Sequence, residues 1–520
     1  MIRASPSKPK FIMLTGKNLR ISDVEFFVEN PLVRVNITKN AIENVRKARE
    51  FLKKKLKNQV IYGVTTGFGP MASYVIKYGQ LTNLQKHLVR SHAVGIGNPI
   101  DEKYVQATML VRLNMLLKGY SGVSVELIEQ LGKFINHRVI PVVPEHGAVG
   151  TSGDLVQLAH IALALMGEGE VFYQGKKSST SKVLQELKIA PYQLKPKEGL
   201  SLINGTSTMT GIAALLCTEA ERLTSIALRL GALSLELVQG YDDSISEELH
   251  LTRPHKGQVK VAHALRTILA SSHMLRKRNK LHQPLENGED VVKISQTVQE
   301  FYSLRCIPQV LGPVFDTLSN TKKIVEVEMN SASDNPIVDW KNKLILHGGN
   351  FHGDYIASSV DQLKIALVKL SLLSERRINF FLNHEINKFF PPFMNLQTPG
   401  LTLGLQGLQF VATSTAAQNQ TLAFPHYIHS IPTNGDNQDI VSMGTDAALF
   451  AMKVVDNTYV VLAVELITLA QAIDFLGKKE KFSASSKELF KRLRSVFPVV
   501  KDDRTIAHEL PRVVELLKCY

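Results

Sequence analysis

A run of small residues, "GAVGTSGDL" at 147–155, comes immediately before an apolar helical pattern that begins at Leu155. On residue types alone, Ser152 or Asp154 would cap that helix, because their side-chain oxygens accept hydrogen bonds from the free N–H groups of a helix start. Gly153 would ease the turn into the helix. Taken by itself, the stretch predicts a helix start and no particular chemistry.

Two other segments carry groups that could act on a small molecule. Tyr62 lies in "VIYGVTTGFGPMA" at 60–72, whose three glycines and one proline are typical of a loop that can move. Arg305 offers a planar fork of N–H donors that binds a carboxylate through two hydrogen bonds. Alone, a loop tyrosine or an arginine beside a cysteine indicates little.

Taken together, these segments resemble the aromatic amino acid ammonia-lyase and 2,3-aminomutase family, and the resemblance extends from about residue 20 to 475. It depends on seven separated motifs that occur in the family's order. They are "YGVTTGFG" at 62–69, "GTSGDLVQLAHIAL" at 150–163, "LINGT" at 202–206, "YSLRCIPQ" at 302–309, "SDNP" at 333–336, "GGNFHG" at 348–353 and "NQDIVSMG" at 437–444.

The resemblance implies a prosthetic group, 4-methylideneimidazole-5-one, made autocatalytically from Thr151-Ser152-Gly153, with no external cofactor. The amide nitrogen of Gly153 would attack the carbonyl carbon of Thr151, which requires a tight backbone without a Cβ atom. Ser152 would then lose its hydroxyl as water. The positive end of the helix at Leu155 should strengthen the group as an electron acceptor. Family members most often have Ala-Ser-Gly, so Thr151 is expected to crowd the ring and to affect its rate of formation.

The resemblance also implies roles for individual side chains. Tyr62 would abstract the β-proton of the substrate, with Gly67 and Gly69 letting its loop close. Tyr302 would be the second catalytic tyrosine, and Arg305 would bind the substrate carboxylate. Further positions that match the lining of the prosthetic group and the substrate are Asn204, Gln299, Asn335, Phe351 and Gln438. Without the resemblance, Asn204 would be interpreted as a cap of the helix at 206 and Phe351 as a core residue.

Substrate selectivity in this family follows the pair after "LQxxLVR", which is Ser91-His92 here. Ser-His resembles the histidine-specific enzymes. Gln418 indicates otherwise, because histidine-type members commonly have a glutamate there, and His92 can bond to a phenol hydroxyl as well as to an imidazole. We therefore expect L-tyrosine, giving p-coumarate, then L-histidine, giving urocanate, and then L-phenylalanine. Whether the substrate's amine or its ring attaches to the prosthetic group stays open.

Two alternatives share these motifs. A 2,3-aminomutase would use the same group but return the ammonia to the β-carbon, giving a β-amino acid. A non-catalytic homologue would keep the fold without forming the ring. A β-amino acid product would distinguish the aminomutase from a lyase. A chain that keeps its full unmodified mass would identify the non-catalytic homologue.

The elements that must position these residues are predicted to be mainly helical. Helical patterns cover 36–57, 80–94, 101–118, 123–136 and 154–166, and "EVFYQGKK" at 170–177 predicts a short hairpin. Long apolar stretches at 206–238, 353–383 and 441–475 predict a central bundle of long helices. We therefore predict a loop-rich N-terminal region with the active-site loops (1–203), the bundle (204–475) and a basic helical tail (476–520).

Composition limits the remaining function classes. The 520 residues are 44% hydrophobic and 21% charged, with a formal net charge of +14. The densest basic run, at Lys53-Lys54-Lys55, is expected to form a solvated helix face, and no nucleic-acid motif accompanies it. The three cysteines form no pattern, and neither a signal peptide nor a membrane span is predicted, so a cytoplasmic enzyme is expected. Histidine pairs such as His426 and His429 lack a metal-binding pattern, and no metal is expected. The family resemblance implies a homotetramer.

Overall fold

The structure is a computed structural model that describes residues 11–281, 290–291, 293–294 and 297–520. It is mostly helical, which confirms the predicted fold class. The α-helices are α1 (Ile21–Glu29), α2 (Lys39–Lys55), α3 (Leu81–His92), α4 (Glu102–Leu117), α5 (Val125–His137), α6 (Leu155–Leu165), α7 (Thr180–Glu186), α8 (Glu198–Ile203), α9 (Ser207–Leu237), α10 (Glu247–Leu251), α11 (Lys256–Leu269), α12 (Tyr302–Arg305), α13 (Ile307–Met329), α14 (Asp354–Leu382), α15 (His384–Asn387), α16 (Gln406–Leu422), α17 (Gly444–Leu476), α18 (Ala484–Arg494) and α19 (Leu510–Lys518).

The strands are short and pair locally. They are β1 (Phe11–Leu14), β2 (Arg34–Ile37), β3 (Ile96–Pro99), β4 (Ile140–Pro141), β5 (Pro144–His146), β6 (Glu170–Tyr173), β7 (Lys176–Ser179), β8 (Ile337–Asp339) and β9 (Leu344–Leu346). β1 and β2 are parallel, with Phe11 opposite Arg34, whereas β6 and β7 form the antiparallel hairpin predicted at 170–177. β4 joins that hairpin, β3 pairs with β5, and β8 pairs with β9.

The helix ends agree with the sequence patterns to within a few residues, and α2 is an example. α2 begins after Thr38, whose side-chain oxygen accepts from Ala41 N. Its last turn holds Lys53-Lys54-Lys55, and cations are favourable at a helix C-terminus. Its buried face includes Ala41, Val45, Ala48 and Leu52, at the spacing of three and four residues that one side of a helix requires.

By its contacts, the chain forms two compact units. The first comprises Met1–Thr218, Asn320–Asp361 and Pro425–Ala451, and the second comprises Glu219–Ser319, Gln362–Phe424 and Met452–Tyr520. In the first unit, α3, α6 and α8 pack against one another. The division into 1–203, 204–475 and 476–520 stays a prediction.

Within the second unit, buried polar contacts join the long helices to one another. Asn419 of α16 donates to Ser371 Oγ of α14 (3.2 Å) and to Thr458 Oγ1 of α17 (3.4 Å). Tyr459 of α17 donates to Glu219 of α9 at 2.6 Å. These bonds link four helices into the bundle that the long apolar patterns predict.

α17 is the one helix in the described part of the chain that is long and apolar enough to cross a membrane by length and composition. The mean hydropathy of its most apolar window is 1.8, and 78% of that window is buried inside the protein. A core helix has these same properties.

Candidate active site

The first unit contains a cavity of about 830 Å³ around Ser152. Loops and helices that are far apart in sequence contribute to its wall: the loop at 62–71, one face of α3, the segment before α6, the end of α8 and the loop before α17. Most of the predicted site residues line it, namely Tyr62, Ser91, His92, Thr151, Ser152, Gly153, Asn204, Asn335, Phe351 and Gln438.

The Ser152-Gly153 backbone runs beside Gly205. Gly153 has φ +74°, and a Cβ atom there would lie 1.9 Å from Gly205 O, so only glycine fits. Asp154 N donates to Gly205 O (2.8 Å), and Gly205 N donates to Ser152 O (3.2 Å). Asn204 Nδ2 also points to Ser152 O, at 3.4 Å. Two N–H donors therefore converge on the carbonyl oxygen of Ser152.

Asp154 caps a different helix from the one that the sequence suggested. The prediction that Ser152 or Asp154 caps α6 is wrong, because Asp154 makes no side-chain bond to that helix. Its Oδ2 instead accepts from Thr208 N (2.7 Å) and Met209 N (3.1 Å) at the start of α9. Complete burial raises the pKa of Asp154 to about 6, against the lowering effect of these bonds and of Thr445.

Asn204, which the sequence suggested as a cap of α9, does not cap that helix. It follows the last residue of α8, and its side chain points to Ser152. Its Oδ1 is buried and has no hydrogen-bond partner within the described ranges. Buried polar atoms are nearly always bonded, so this oxygen is an acceptor available to a ligand or a modified backbone.

The side chain of Gln438 contacts the segment that should form the ring. Gln438 Oε1 accepts from Thr151 Oγ1 at 2.7 Å and from Thr433 Oγ1 at 3.0 Å. Its Nε2 donates to Ser152 Oγ at 3.1 Å. Gln438 is thus bonded to two of the three residues of the tripeptide.

Hydrogen bonds hold Tyr62 at its phenol oxygen and at its backbone nitrogen. Gly69 N donates to the phenol oxygen at 3.0 Å, and Tyr62 N donates to His347 Nε2 at 3.3 Å. A Cβ atom on Gly69 would lie 2.4 Å from the Asn434 side chain, which explains a glycine with φ +51° at that position. The buried side chain of Gln85 in α3 ties this loop to α8, because it donates to Gly63 O and accepts from Leu200 N. The phenol oxygen is therefore fixed at the cavity wall.

One face of α3 forms a further part of the cavity wall. The lining residues follow helical spacing: Leu84, His87, Leu88, Ser91 and His92. His92 Nδ1 lies 2.9 Å from the carbonyl oxygen of Leu88, which can only accept. In the tautomer in which Nδ1 carries the hydrogen and donates to this oxygen, Nε2 is an acceptor.

Two buried cations that the sequence did not indicate bond to groups at or next to the cavity residues Asn204 and Asn335. Arg112 of α4 donates to Asn204 O (2.7 Å), to Ser201 O and to Ser333 O (3.3 Å), and burial lowers the pKa of Arg112 to about 10. Lys197 is fully buried and donates to Asp334 Oδ2 at 3.0 Å. The neighbouring Asn335 lines the cavity. "SDNP" was a sequence signal for Asp334, but no local pattern indicated Arg112 or Lys197.

The other predicted residues belong to the second unit. Gln299, Tyr302 and Arg305 line a cavity there of about 560 Å³. Arg305 donates to Gln299 Oε1, and its guanidinium lies over the Tyr302 ring, 4.6 Å from the ring centre. Tyr302 is 72% exposed. Gln418 is also exposed, and its Oε1 accepts from Asn457 Nδ2 at 2.8 Å.

No group of three or more histidine, cysteine, aspartate or glutamate side chains that could hold a metal ion occurs among the residues that the structure describes.

Comparisons with known proteins agree with this geometry. The sequence model of the family "Aromatic amino acid lyase" matches residues 19–495. The chain is 39% identical to the histidine ammonia-lyase of Bacillus subtilis (strain 168), over 98% of this chain and 96% of that protein. It is 40% identical to the tyrosine 2,3-aminomutase of Chondromyces crocatus, over 95% of this chain and 93% of that protein.

Solved structures are similar over nearly the whole chain. The tyrosine aminomutase from Streptomyces globisporus superposes with a TM-score of 0.94 at 37% identity, covering 98% of this chain and 97% of that one. The histidine ammonia-lyase from Trypanosoma cruzi superposes with a TM-score of 0.88 at 31% identity, covering 98% and 93%.

Proposed function

This chain belongs to the aromatic amino acid lyase family and is a carbon–nitrogen lyase, and on that premise we propose that it eliminates ammonia from L-tyrosine to give p-coumarate. The single observation that carries the substrate assignment is that His92 lines the cavity with Nδ1 against Leu88 O, which leaves Nε2 to accept a hydrogen bond.

Thr151-Ser152-Gly153 fits the proposed 4-methylideneimidazole-5-one. Gly153 has the positive φ that a tight closure requires, and the site has no room for a Cβ atom. The unpaired Oδ1 of Asn204 and the two donors on Ser152 O are further groups that a modified backbone could use. When formed, the group supplies an electrophilic methylidene carbon.

The surrounding residues then have separate tasks. Tyr62 takes the β-proton at its phenol oxygen, which Gly69 N–H holds at the cavity wall. Gly205 N–H and Asn204 Nδ2 stabilise negative charge on the Ser152 oxygen, as donors in an oxyanion hole do. Asn335 and Gln438 offer amide groups to the amino and carboxylate ends of the substrate, and Phe351 covers its ring.

Selectivity follows from hydrogen bonding and desolvation at α3. The tyrosine hydroxyl can donate to His92 Nε2, whereas phenylalanine has no donor to offer there. Leu84 and Leu88 favour a benzene ring, since an imidazole would bring two nitrogens that need hydrogen-bond partners, and these two side chains offer none. The neutral Gln418 supplies no anionic partner for an imidazole.

We also propose a cytoplasmic homotetramer in which a second subunit supplies Gln299, Tyr302 and Arg305 to each site, and Gln418 with them. Two observations support this assignment. Tyr302 is largely exposed, and Arg305 Nε is buried without a hydrogen-bond partner in the part of the chain that the structure describes. A substrate carboxylate would bind the Arg305 fork and give the substrate one fixed end.

The relatives support two other products, namely urocanate from histidine and β-tyrosine from tyrosine. The tyrosine 2,3-aminomutase of Chondromyces crocatus is as similar to this chain as the histidine ammonia-lyases are. Purified protein should therefore be incubated separately with tyrosine, histidine and phenylalanine, with Ser152→Ala as the inactive control. We expect p-coumarate from tyrosine at the highest kcat/KM. Predominant urocanate from histidine, or a β-tyrosine product without p-coumarate, would overturn the assignment.

A further inference from the structure

The hydroxyl of Thr151 reaches Ser152 through Gln438. Thr151 Oγ1 donates to Gln438 Oε1 at 2.7 Å, and Gln438 Nε2 donates to Ser152 Oγ at 3.1 Å. Thr151 is buried, with 4% of its surface exposed, so water competes little for its hydroxyl. The Ser152 hydroxyl is the group that must leave when the tripeptide matures.

The amide of Gln438 is held from two sides. Thr433 Oγ1 donates to the same Oε1 at 3.0 Å, so the oxygen accepts two hydroxyl donors and its two lone pairs are both used. The backbones of Thr433 and Gln438 also bond to each other in both directions, at 3.1 Å and 3.3 Å. With its oxygen held in this way, the amide directs its N–H group to Ser152.

We propose that Thr151 is a positioning residue for the maturation of its own tripeptide, an inference that rests on the proposed function. Its hydroxyl orients Gln438 so that Nε2–H bonds to Ser152 Oγ while the Cβ–Oγ bond breaks. The Cα proton and the hydroxyl of Ser152 leave together as one water, and the electrons of the Cα–H bond form the Cα–Cβ double bond. Negative charge builds on Oγ as the bond breaks, which strengthens its bond from Nε2–H.

Threonine at this position therefore has a function that alanine cannot supply. Alanine carries no hydroxyl, and Gln438 Oε1 would then accept from Thr433 alone. The crowding that Thr151 brings to the ring is offset by a better-oriented donor at the leaving group. Valine separates the two effects, because it keeps the branched shape of threonine and removes only the hydroxyl.

The test measures maturation and needs no substrate. Full-length chains are synthesised in a cell-free system, samples are quenched over time, and intact mass gives the fraction that has lost both waters. The variants are Thr151→Val, Thr433→Val, the double variant and Thr151→Ser. Thr108→Val is the matched control, because Thr108 is also buried in the same unit and its hydroxyl donates to Tyr104 O of its own helix, away from the tripeptide.

We expect Thr151→Val to lose the two waters about tenfold more slowly, the effect of one lost orienting hydrogen bond. Thr151→Ser and Thr108→Val should mature at the wild-type rate, and the double variant should be slower than either single one. Thr433→Val removes a donor outside the tripeptide, so it tests the same step if Thr151→Val does not fold. Maturation of Thr151→Val and Thr433→Val at the wild-type rate would overturn this inference and leave the proposed function unaffected. A wild-type chain that keeps its full mass would overturn the proposed function itself.

Discussion

Ser152 is bonded at both of its oxygen atoms, and the donors to the two oxygens come from different parts of the chain. Its carbonyl oxygen accepts from Gly205 N and Asn204 Nδ2, and its Oγ accepts from Gln438 Nε2. Tyr62 and His92 contribute to other parts of the same cavity wall. Since these residues act on different atoms, replacing each one should have a separate and measurable effect.

Replacing Tyr62 with phenylalanine should reduce kcat by about 10²–10⁴-fold, because the variant loses its proton-accepting oxygen. Its ring can still pack edge-on against Phe68, so the thermal midpoint should change little. Steady-state kinetics with tyrosine and a thermal scan check both expectations. Tyr74→Phe is the matched control, since Tyr74 is an exposed tyrosine outside the cavity lining. A Tyr62→Phe enzyme with normal kcat would assign the proton transfer to another group.

Replacing His92 with leucine should lower kcat/KM for tyrosine by about 10–100-fold, because the phenol hydroxyl would be buried without an acceptor. For phenylalanine, kcat/KM should stay constant or rise, since its ring brings no polar group to the new apolar wall. The measurement is the ratio of the two kcat/KM values in wild type and variant. An unchanged ratio would mean that His92 does not contact the ring end of the substrate.

At the scale of elements, the loop at 62–71 depends on the protonation of one histidine. Burial, together with the nearby positive charge of Lys197, lowers the pKa of His347 from its ordinary value of 6.5. The neutral ring accepts from Tyr62 N, and the protonated ring cannot. The folded state thus disfavours the proton. The stabilising contribution of His347 is fully present above pH 6.5 and is lost as the pH falls through the lowered pKa.

We therefore expect the amide of Tyr62 to lose its protection from hydrogen exchange as the pH is lowered below 6.5, after correction for the intrinsic exchange rate. His347→Gln should remove this pH dependence, since an amide oxygen accepts at every pH in the range. Protection that is equally pH-dependent in both proteins would exclude His347 as the cause.

Among the bundle helices, α14 and α17 share a fully buried ion pair. Arg377 donates through Nε and Nη2 to both carboxylate oxygens of Glu465, and its Nη2 also donates to Ser374 Oγ. Such a pair is costly to break from one side because the remaining charge stays buried without its partner.

Glu465→Gln should lower the free energy of unfolding by about 3–5 kcal/mol, whereas the double replacement Arg377→Met with Glu465→Leu should recover most of that loss. Chemical denaturation, followed by circular dichroism, measures both. A double variant that is less stable than Glu465→Gln would show that the Arg377–Glu465 ion pair stabilises the fold more than apolar side chains at the same two positions.

At the scale of the whole molecule, each active site of the proposed tetramer would contain residues from more than one chain. Tyr62 lines the cavity of the first unit, whereas Tyr302 is exposed on the second. If one chain supplies Tyr62 and another supplies Tyr302, two inactive variants can complement each other.

Co-expression of Tyr62→Phe with Tyr302→Phe chains should therefore restore part of the activity, because some sites in mixed tetramers receive both native tyrosines. Tyr62→Phe with Asn204→Ala is the control pair and should stay inactive, since one chain supplies both residues of a site and every chain carries one of the two changes. Analytical ultracentrifugation should give the mass of four chains. Equal, negligible activity in both mixtures would contradict shared sites.

The sequence predicted the helical elements well because their signals are local. Thr38 as a cap and the apolar spacing of Ala41, Val45, Ala48 and Leu52 define α2 within a few residues of its actual ends. Ten of the predicted site residues lie in the lining of the cavity around Ser152, and their roles stay predictions. The prediction failed where a polar side chain could choose between partners, as with Asp154, whose carboxylate caps α9 rather than α6.

By itself, the sequence determined the helical fold and the family, because apolar periodicity and short motifs are properties of contiguous residues. Only the tertiary structure decided what surrounds Ser152. Ser152 is reached from distant parts of the chain by Gln438 and Gly205, and the neighbouring Asn204 is reached by Arg112. Only folding sets which donor meets which oxygen. A hydrogen bond requires two atoms about 3 Å apart, and that distance is independent of separation along the chain.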